Sequence, residues 1–431
     1  MQQTEVAAES GTAPPAVASD DPMKKYLNHA QGPDSIRAWY VAFFAVLYVF
    51  FSWCAFSSTP VLYVALMETN PWLSRETASW PFTVMSCCTF TGSAIFGLLV
   101  RRVSERNLLL LGTLLSSSSL LLSSFFTHNV TVLAALLGLG HGFGIAGSTC
   151  IPSAVITQHF IKYRATAMSL FSIFASLSGI IYPILATFVY REYSLSGLLL
   201  ILSALSCNQL LSVIVCDAAP WKAALQSLVA SKAADDKKSG SERFCRPLLV
   251  NTCITNALSN FIMFALVLFV IDFETDNGID SADGAFLVVM TCFGWLIASI
   301  FVGPIVDRGK YYDRYVILSS CVLQALALMF MISPIGKGVY WCQSLASFFV
   351  GWGQGSRGFL MFVMLSKKYS PNLVPMAFAV MNLSCFLPFL LRTPLIGLIR
   401  DNLGEYDYIF YLFIFINFIL TVDWLAMSIW K

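Results

Sequence analysis

Apolar and polar positions alternate along this chain on the scale of whole helices. From Ala38 to Trp430, twelve apolar stretches are separated by short polar turns, and one longer charged interval, residues 217–246, divides them six and six. A helix rises ~1.5 Å per residue, so ~20 apolar residues cover the ~30 Å hydrocarbon core of a bilayer. Hydrocarbon offers a backbone amide no partner, so each stretch is predicted to be a helix that closes its own hydrogen bonds. The spans are predicted to begin near Ala38, Ser79, Asn107, Val130, Ala165, Ser196, Pro247, Ala285, Tyr315, Val339, Pro375 and Tyr406. The pattern specifies an all-α polytopic membrane protein with twelve transmembrane helices. Its expected parts are a disordered cytosolic tail (1–36), a six-helix bundle (37–216), a cytosolic inter-bundle loop (217–246) and a second six-helix bundle (247–431). The tail is rich in Ala, Ser, Thr, Pro and acid and has no apolar run able to bury a core.

Composition agrees with this class: 57% of residues are hydrophobic and 12% charged, where soluble domains carry about 25% charged residues. A net charge of +2 gives no electrostatic footprint for nucleic acid. Basic residues accumulate in cytoplasmic loops. With both termini cytoplasmic, every Lys and Arg falls on the inner side except Arg75, Arg191, Lys337 and Arg400 outside, and Arg357 and Arg392 within the membrane. The loop with Asp272, Glu274, Asp276, Asp280 and Asp283 then faces outward; it lacks the ordered acid spacing of a calcium loop and reads as a solvated acidic face. The twelve cysteines lie in spans or on the inner side, as packing residues and not a disulfide framework. Asn129-Val130-Thr131 is a glycosylation sequon placed too close to the membrane to be used.

Enzyme chemistry finds no support. There is no Gly-x-Ser-x-Gly elbow, His-Glu-x-x-His helix or Gly-x-x-x-x-Gly-Lys loop, and His29, His128, His141 and His159 have no metal-ligand spacing. No catalytic residue, metal or cofactor is expected.

The two halves echo each other. Gly97-Leu98-Leu99-Val100-Arg101-Arg102 recurs 206 residues later as Gly303-Pro304-Ile305-Val306-Asp307-Arg308, and Tyr182-Pro183-Ile184 recurs 211 residues later as Thr393-Pro394-Leu395. Parallel six-helix repeats with a site between them at mid-membrane are an architecture of secondary transporters. The second copy resembles the Gly-x-x-x-Asp-Arg signature of the major facilitator superfamily, which implies the major facilitator fold, its two bundles related by pseudo-symmetry. It also implies a gating role for Gly303, Asp307 and Arg308, in which charges cap helix ends and hold the inward face shut; the alternative is that they only set topology. In the first copy Arg101 stands where the acid is expected.

Within that superfamily the chain resembles the monocarboxylate transporter family from about Asp34 to Tyr411. The carriers of the resemblance are Asp34-Ser35-Ile36-Arg37-Ala38-Trp39 at the entry to span one, Phe160-Ile161-Lys162-Tyr163-Arg164-Ala165-Thr166-Ala167 before span five, and the Pro394 to Tyr408 segment with its Pro-x-x-Gly, Asp, Gly and Tyr spacing. Proton-linked members carry a lysine in span one and an aspartate and arginine in span eight; the matching positions here are Ser58, Trp295 and Ser299. A carboxylate in a low-dielectric cavity needs a cation, and a proton relay needs a carboxyl or imidazole of movable pKa. Members lacking these charges resemble facilitators or carriers of larger solutes, such as aromatic amino acids, iodinated tyrosine derivatives, carnitine or creatine. The resemblance also admits a single-pass ancillary membrane glycoprotein as partner beside the lipid bilayer.

Ionised side chains at mid-bilayer are costly, so each that persists is a functional candidate. Arg357 lies in span ten in Gly351-Trp352-Gly353-Gln354-Gly355-Ser356-Arg357-Gly358, with Gln354 one turn earlier. Arg357 is expected either to bind a substrate carboxylate while Gln354 orients it, or to pair with Asp423 in span twelve. Arg392 in span eleven is a candidate for substrate contact or for a structural role. Asn256 and Asn260 share a face of span seven, with Asn251 displaced around it, and these and Asn382 serve either substrate or interhelical hydrogen bonds. His141 in span four is the candidate for proton coupling, against a packing role.

These residues predict a secondary transporter or facilitator for a small organic solute, whether monocarboxylate, amino-acid-like or another zwitterion. It would work by alternating access in the plasma membrane, with a proton or no coupling ion. The rival is a transporter-like receptor or scaffold that binds a ligand without net transport.

Overall fold

The computed structural model describes residues 32–429 apart from 74, 101, 217–246, 279–280, 309–311, 370–372 and 393–405. The tail, the inter-bundle interval, Arg101, and the motif segment from Pro394 to Glu405 therefore lie wholly or largely outside the described residues. All regular structure among the described residues is helical. Span one is built from Ile36–Ser52, Cys54–Ser57 and Thr59–Thr69, span two is Arg75–Leu99 and span three Glu105–Ser123. Span four joins Val130–Leu133, a π-helix over Ala134–His141 and Gly142–His159. Spans five and six run through Arg164–Cys207, divided at Ser194 (φ 59°, ψ −177°), and end with Gln209–Val215. The second half supplies Pro247–Asp276, Ser281–Arg308, Tyr312–Ile332, Tyr340–Lys368, Val374–Leu383 with helical residues 386–392, and Asp407–Ile429 as spans seven to twelve.

Eight of the described helices are long and apolar enough to cross a bilayer. Spans one, three and ten are not among them, and each has a local reason. Span one is interrupted at Trp53 and Ser58, where Pro60 removes a backbone donor. A hydroxyl satisfies the carbonyl freed there, Thr59 Oγ1 donating to Phe56 O (2.7 Å), and Ser58 Oγ adds a second bond to Cys54 O (2.8 Å) beside that of its own amide. Span three carries Ser116 to Ser119, and Ser117 Oγ is turned back on Thr113 O (2.7 Å). Span ten is diluted by the Gly351 to Gly358 segment.

The repeated glycines mark matching helix crossings. A Cβ at Gly97 of span two would press on Ala379 Cβ and stand 3.0 Å from Pro375 O of span eleven; one at Gly303 of span eight would stand 2.7 Å from Ser169 Cβ of span five. Thus the 206-residue repeat is a repeat of contact as well as of sequence, each half placing its glycine against the other half. Within the second half, spans eight and ten approach so closely that a Cβ at Gly294 would collide with Phe348 O, and one at Gly351 with Thr291 O.

The acidic segment departs from expectation at Glu274, which lies in the last turn of the Pro247–Asp276 helix and is fully buried. Neither carboxyl oxygen has a hydrogen-bond partner among the described residues. Eleven cysteines are described, all free thiols.

Candidate functional site

Span five, in the first half, lies against spans eight and ten of the second, and a cavity opens beside that seam. It has two chambers, one larger than the other, which share Trp53, Ala175, Phe264 and Trp295 as walls. The larger is bounded by Pro60 and Tyr63 of span one, Phe82 of span two and Arg392 of span eleven. The smaller lies toward the end carrying Asp307, floored by Phe171, Phe359 and Phe362.

Arg392 is 6% exposed and borders the larger chamber. Its guanidinium sits 5.5 Å from the Phe389 ring centroid, Nη1 reaches Phe264 O at 3.5 Å, and Nε has no partner among the described residues. Phe389 in turn stacks on Phe90 of span two at 4.9 Å. A buried guanidinium with a spare donor and no carboxylate partner among the described residues can take an anionic oxygen.

The carboxamides gather in the smaller chamber. Gln354 Nε2 donates to Asn260 Oδ1 (3.1 Å), Asn260 Nδ2 to Asn256 Oδ1 (3.1 Å), and Asn256 Nδ2 to Met381 O (3.2 Å); Asn382 completes the wall. Asn251 turns instead toward span twelve, accepting from Thr255 Oγ1, which accepts from Trp424 Nε1.

Of the three neutral positions Ser58, Trp295 and Ser299, two are joined across the halves. Trp295 Nε1 and Ser299 Oγ of span eight both donate to Ser172 Oγ of span five, each at 2.7 Å, so a serine bridges the halves. Ser58 is buried away from the cavity, donating to Cys54 O and Tyr182 O. No sequence signal singles out Ser172 among the chain's many serines; Trp53, Phe264 and Trp295 are equally hidden among abundant aromatics.

Two expected residues lie elsewhere. Arg357 is 1% exposed and lines neither chamber. Nη1 donates to Asn417 Oδ1 of span twelve (3.2 Å) and Cys321 Sγ of span nine (3.0 Å), and Nη2 donates to Gln324 Oε1. Nor does it pair with Asp423, whose Oδ2 has no partner among the described residues. His141 packs into the first half, Nδ1 facing Ser116 O of span three at 3.3 Å, and lines neither chamber. Neither position suits substrate contact or proton transfer through the cavity.

At the far end the gate motif acts across the halves. Asp307 accepts from Ala165 N (3.0 Å), Thr166 N (2.8 Å) and Thr166 Oγ1 (2.7 Å), the first turn of span five, where free amides and helix dipole favour an anion. Gly303 permits the crossing one turn earlier, while Arg308 is exposed. Arg164 Nη1 adds a bond to Ser366 O of span ten (3.1 Å). The separate signatures at Asp34 and Phe160 meet here: the Asp34 carboxylate accepts from the amides of Ile161, Lys162 and Tyr163 at 3.0–3.3 Å, and Trp39 packs on Phe160 at 4.7 Å. This end is closed.

A family profile described as Major Facilitator Superfamily matches residues 41–391 and 252–430. Among curated proteins, Monocarboxylate transporter 2 of Rattus norvegicus is 24% identical over 88% of this chain and 80% of its own length. Monocarboxylate transporter 12-B of Danio rerio is 25% identical over 78% and 75%. Among solved structures, the proton:xylose symporter XylE bound to 6-bromo-6-deoxy-D-glucose superposes with a TM-score of 0.72 at 12% identity, covering 89% of this chain and 94% of that one.

Proposed function

Because the chain belongs to the Major Facilitator Superfamily, we propose that it is a secondary carrier of an organic monocarboxylate, working by alternating access in the plasma membrane with both termini cytoplasmic. The observation that carries this reading is Arg392, a buried guanidinium with a free donor in the wall of an inter-bundle cavity closed at one end. The names of the curated relatives support the solute class. The basic loops favour a cytoplasmic Asp307 end, with the cavity facing outward and Asp307 holding the inner gate.

Both chambers lack an Asp or Glu among their described lining residues. The ammonium of a zwitterion would therefore be buried without a counter-charge, which favours a monoanion over an amino acid. Asn256, Asn260, Gln354 and Asn382 contact the part of the solute remote from its carboxylate.

Uptake of radiolabelled aliphatic and aryl monocarboxylates into proteoliposomes tests the proposal. Saturable uptake is expected, and Arg392→Gln should lower it at least tenfold in protein of unchanged melting temperature. Saturable binding with zero flux would instead make the protein a receptor.

A further inference from the structure

The smaller chamber holds two buried polar atoms that the protein leaves unused. Gln354 and Asn382 are 2% and 3% exposed, and both border the chamber from spans ten and eleven. Within the carboxamide chain, Gln354 Nε2 is committed to Asn260 Oδ1. Gln354 Oε1 and Asn382 Nδ2 have no hydrogen-bond partner among the described residues. One is an acceptor and the other a donor. Away from bulk water such atoms are expensive to leave unmet, so their retention in a cavity wall points to a ligand group.

The pairing selects its chemistry. A carboxylate would find one donor and be repelled by the amide oxygen; an ammonium would find one acceptor and be repelled by the amide nitrogen. A hydroxyl or primary carboxamide can donate to Gln354 Oε1 and accept from Asn382 Nδ2. Between this pair and Arg392 the shared walls offer only flat apolar surface, because Trp295 Nε1 is committed to Ser172 and Trp53 Nε1 to Ser148 (3.2 Å). Phe264 borders both chambers. We propose that the smaller chamber is a head-group subsite for a neutral hydroxyl or carboxamide at the far end of a planar carboxylate whose acid group lies on Arg392. This rests on the reading of Arg392 as the carboxylate site. The solute would enter neutral end first, since the smaller chamber is nearer the closed inner gate.

Binding of four probes to the purified full chain, followed by quenching of tryptophan fluorescence and by calorimetry, tests the subsite: propionate, phenylpropionate, para-hydroxyphenylpropionate and para-carbamoylphenylpropionate. The two para-substituted acids are expected to bind about tenfold more tightly than phenylpropionate, the equivalent of one well-placed hydrogen bond to each ligand. Asn382→Leu and Gln354→Met should each bring that ratio below about threefold, whereas Arg392→Gln should weaken all carboxylates and keep the ratio. Equal affinities in the unaltered protein, or a ratio that survives both chamber substitutions, overturn the subsite and leave the carboxylate site standing. Binding of propionate alone does the same. Carboxylate binding that ignores Arg392→Gln, or no binding of any probe, overturns the reading of Arg392 and the subsite with it.

Discussion

Arg357 and Gln354 are three residues apart on one helix, about 60° around its axis, and that angle separates cavity from bundle interior. Gln354 faces Asn260 across the smaller chamber; Arg357 faces Gln324 and Asn417 between spans nine and twelve. A buried cation held by neutral acceptors contributes through its hydrogen bonds, and deleting it orphans those acceptors at about 1–3 kcal/mol each. Arg357→Leu is therefore expected to destabilise the protein by about 2–4 kcal/mol while changing substrate affinity less than twofold in the folded fraction. Adding Gln324→Leu and Asn417→Leu should restore most of the melting temperature, since the acceptors then no longer need a partner. Lost binding at an unchanged melting temperature would return Arg357 to the substrate site. The candidate residues were legible as polar side chains inside apolar spans, and for Asn256, Asn260, Gln354, Asn382 and Arg392 that reasoning leads to the cavity wall. It misplaces Arg357 and His141 because sequence reports depth along a span far better than direction around it. For His141 a π-helical turn precedes the ring and rotates everything after it relative to an α-helical count.

At the scale of elements, the end carrying Asp307 is asymmetric in its chemistry. Span eight holds the first turn of span five through Asp307, and span two meets span eleven through a glycine crossing. An anion on a helix N-terminus contributes about 1–2 kcal/mol when partly buried. Asp307→Asn should then shift the conformational equilibrium toward an open inner end by about fivefold to thirtyfold. Spin labels at Lys162→Cys and Lys367→Cys, both exposed on either side of that end, would read this as a growing long-distance population. An unchanged distance distribution would show that Asp307 does not hold the gate. The Gly-x-x-x-Asp-Arg motif made this contact foreseeable on the Asp307 side. Its receiving partner was not foreseeable, since two backbone amides leave no mark in a sequence.

For the whole molecule, the inter-bundle seam is neutral at Ser172, Trp295 and Ser299. Ser172, Trp295 and Ser299 join the halves by hydroxyl and indole hydrogen bonds, and no carboxyl or imidazole borders either chamber among the described residues. We therefore expect no proton to travel with the solute. Uptake of a monocarboxylate into proteoliposomes is expected to be indifferent to an imposed proton gradient, once the leak of the undissociated acid is subtracted. It should respond instead to membrane potential, because an unaccompanied anion carries charge worth about 2.3 kcal/mol per 100 mV. Stimulation beyond about threefold by acid outside, with no effect of potential, would require a proton site outside the described cavity. The twelve-span frame follows from hydropathy alone, since each span must close its own backbone hydrogen bonds wherever it packs. The seam does not, because whether Ser172 meets Trp295 depends on how two bundles separated by a long interval come to rest.

The contact between Asp307 and span five has a consequence for how this protein can vary. Two of its three donors are main-chain amides of Ala165 and Thr166, and a main-chain amide is present whatever residue is encoded. Codon 166 can drift through almost any substitution except proline, the one residue without that N–H, and codon 165, whose side chain is fully buried, through the small ones, and both still supply a main-chain donor to Asp307. The burden of inheritance falls on a single carboxylate at 307 and on the bare backbone at 303 that lets it arrive.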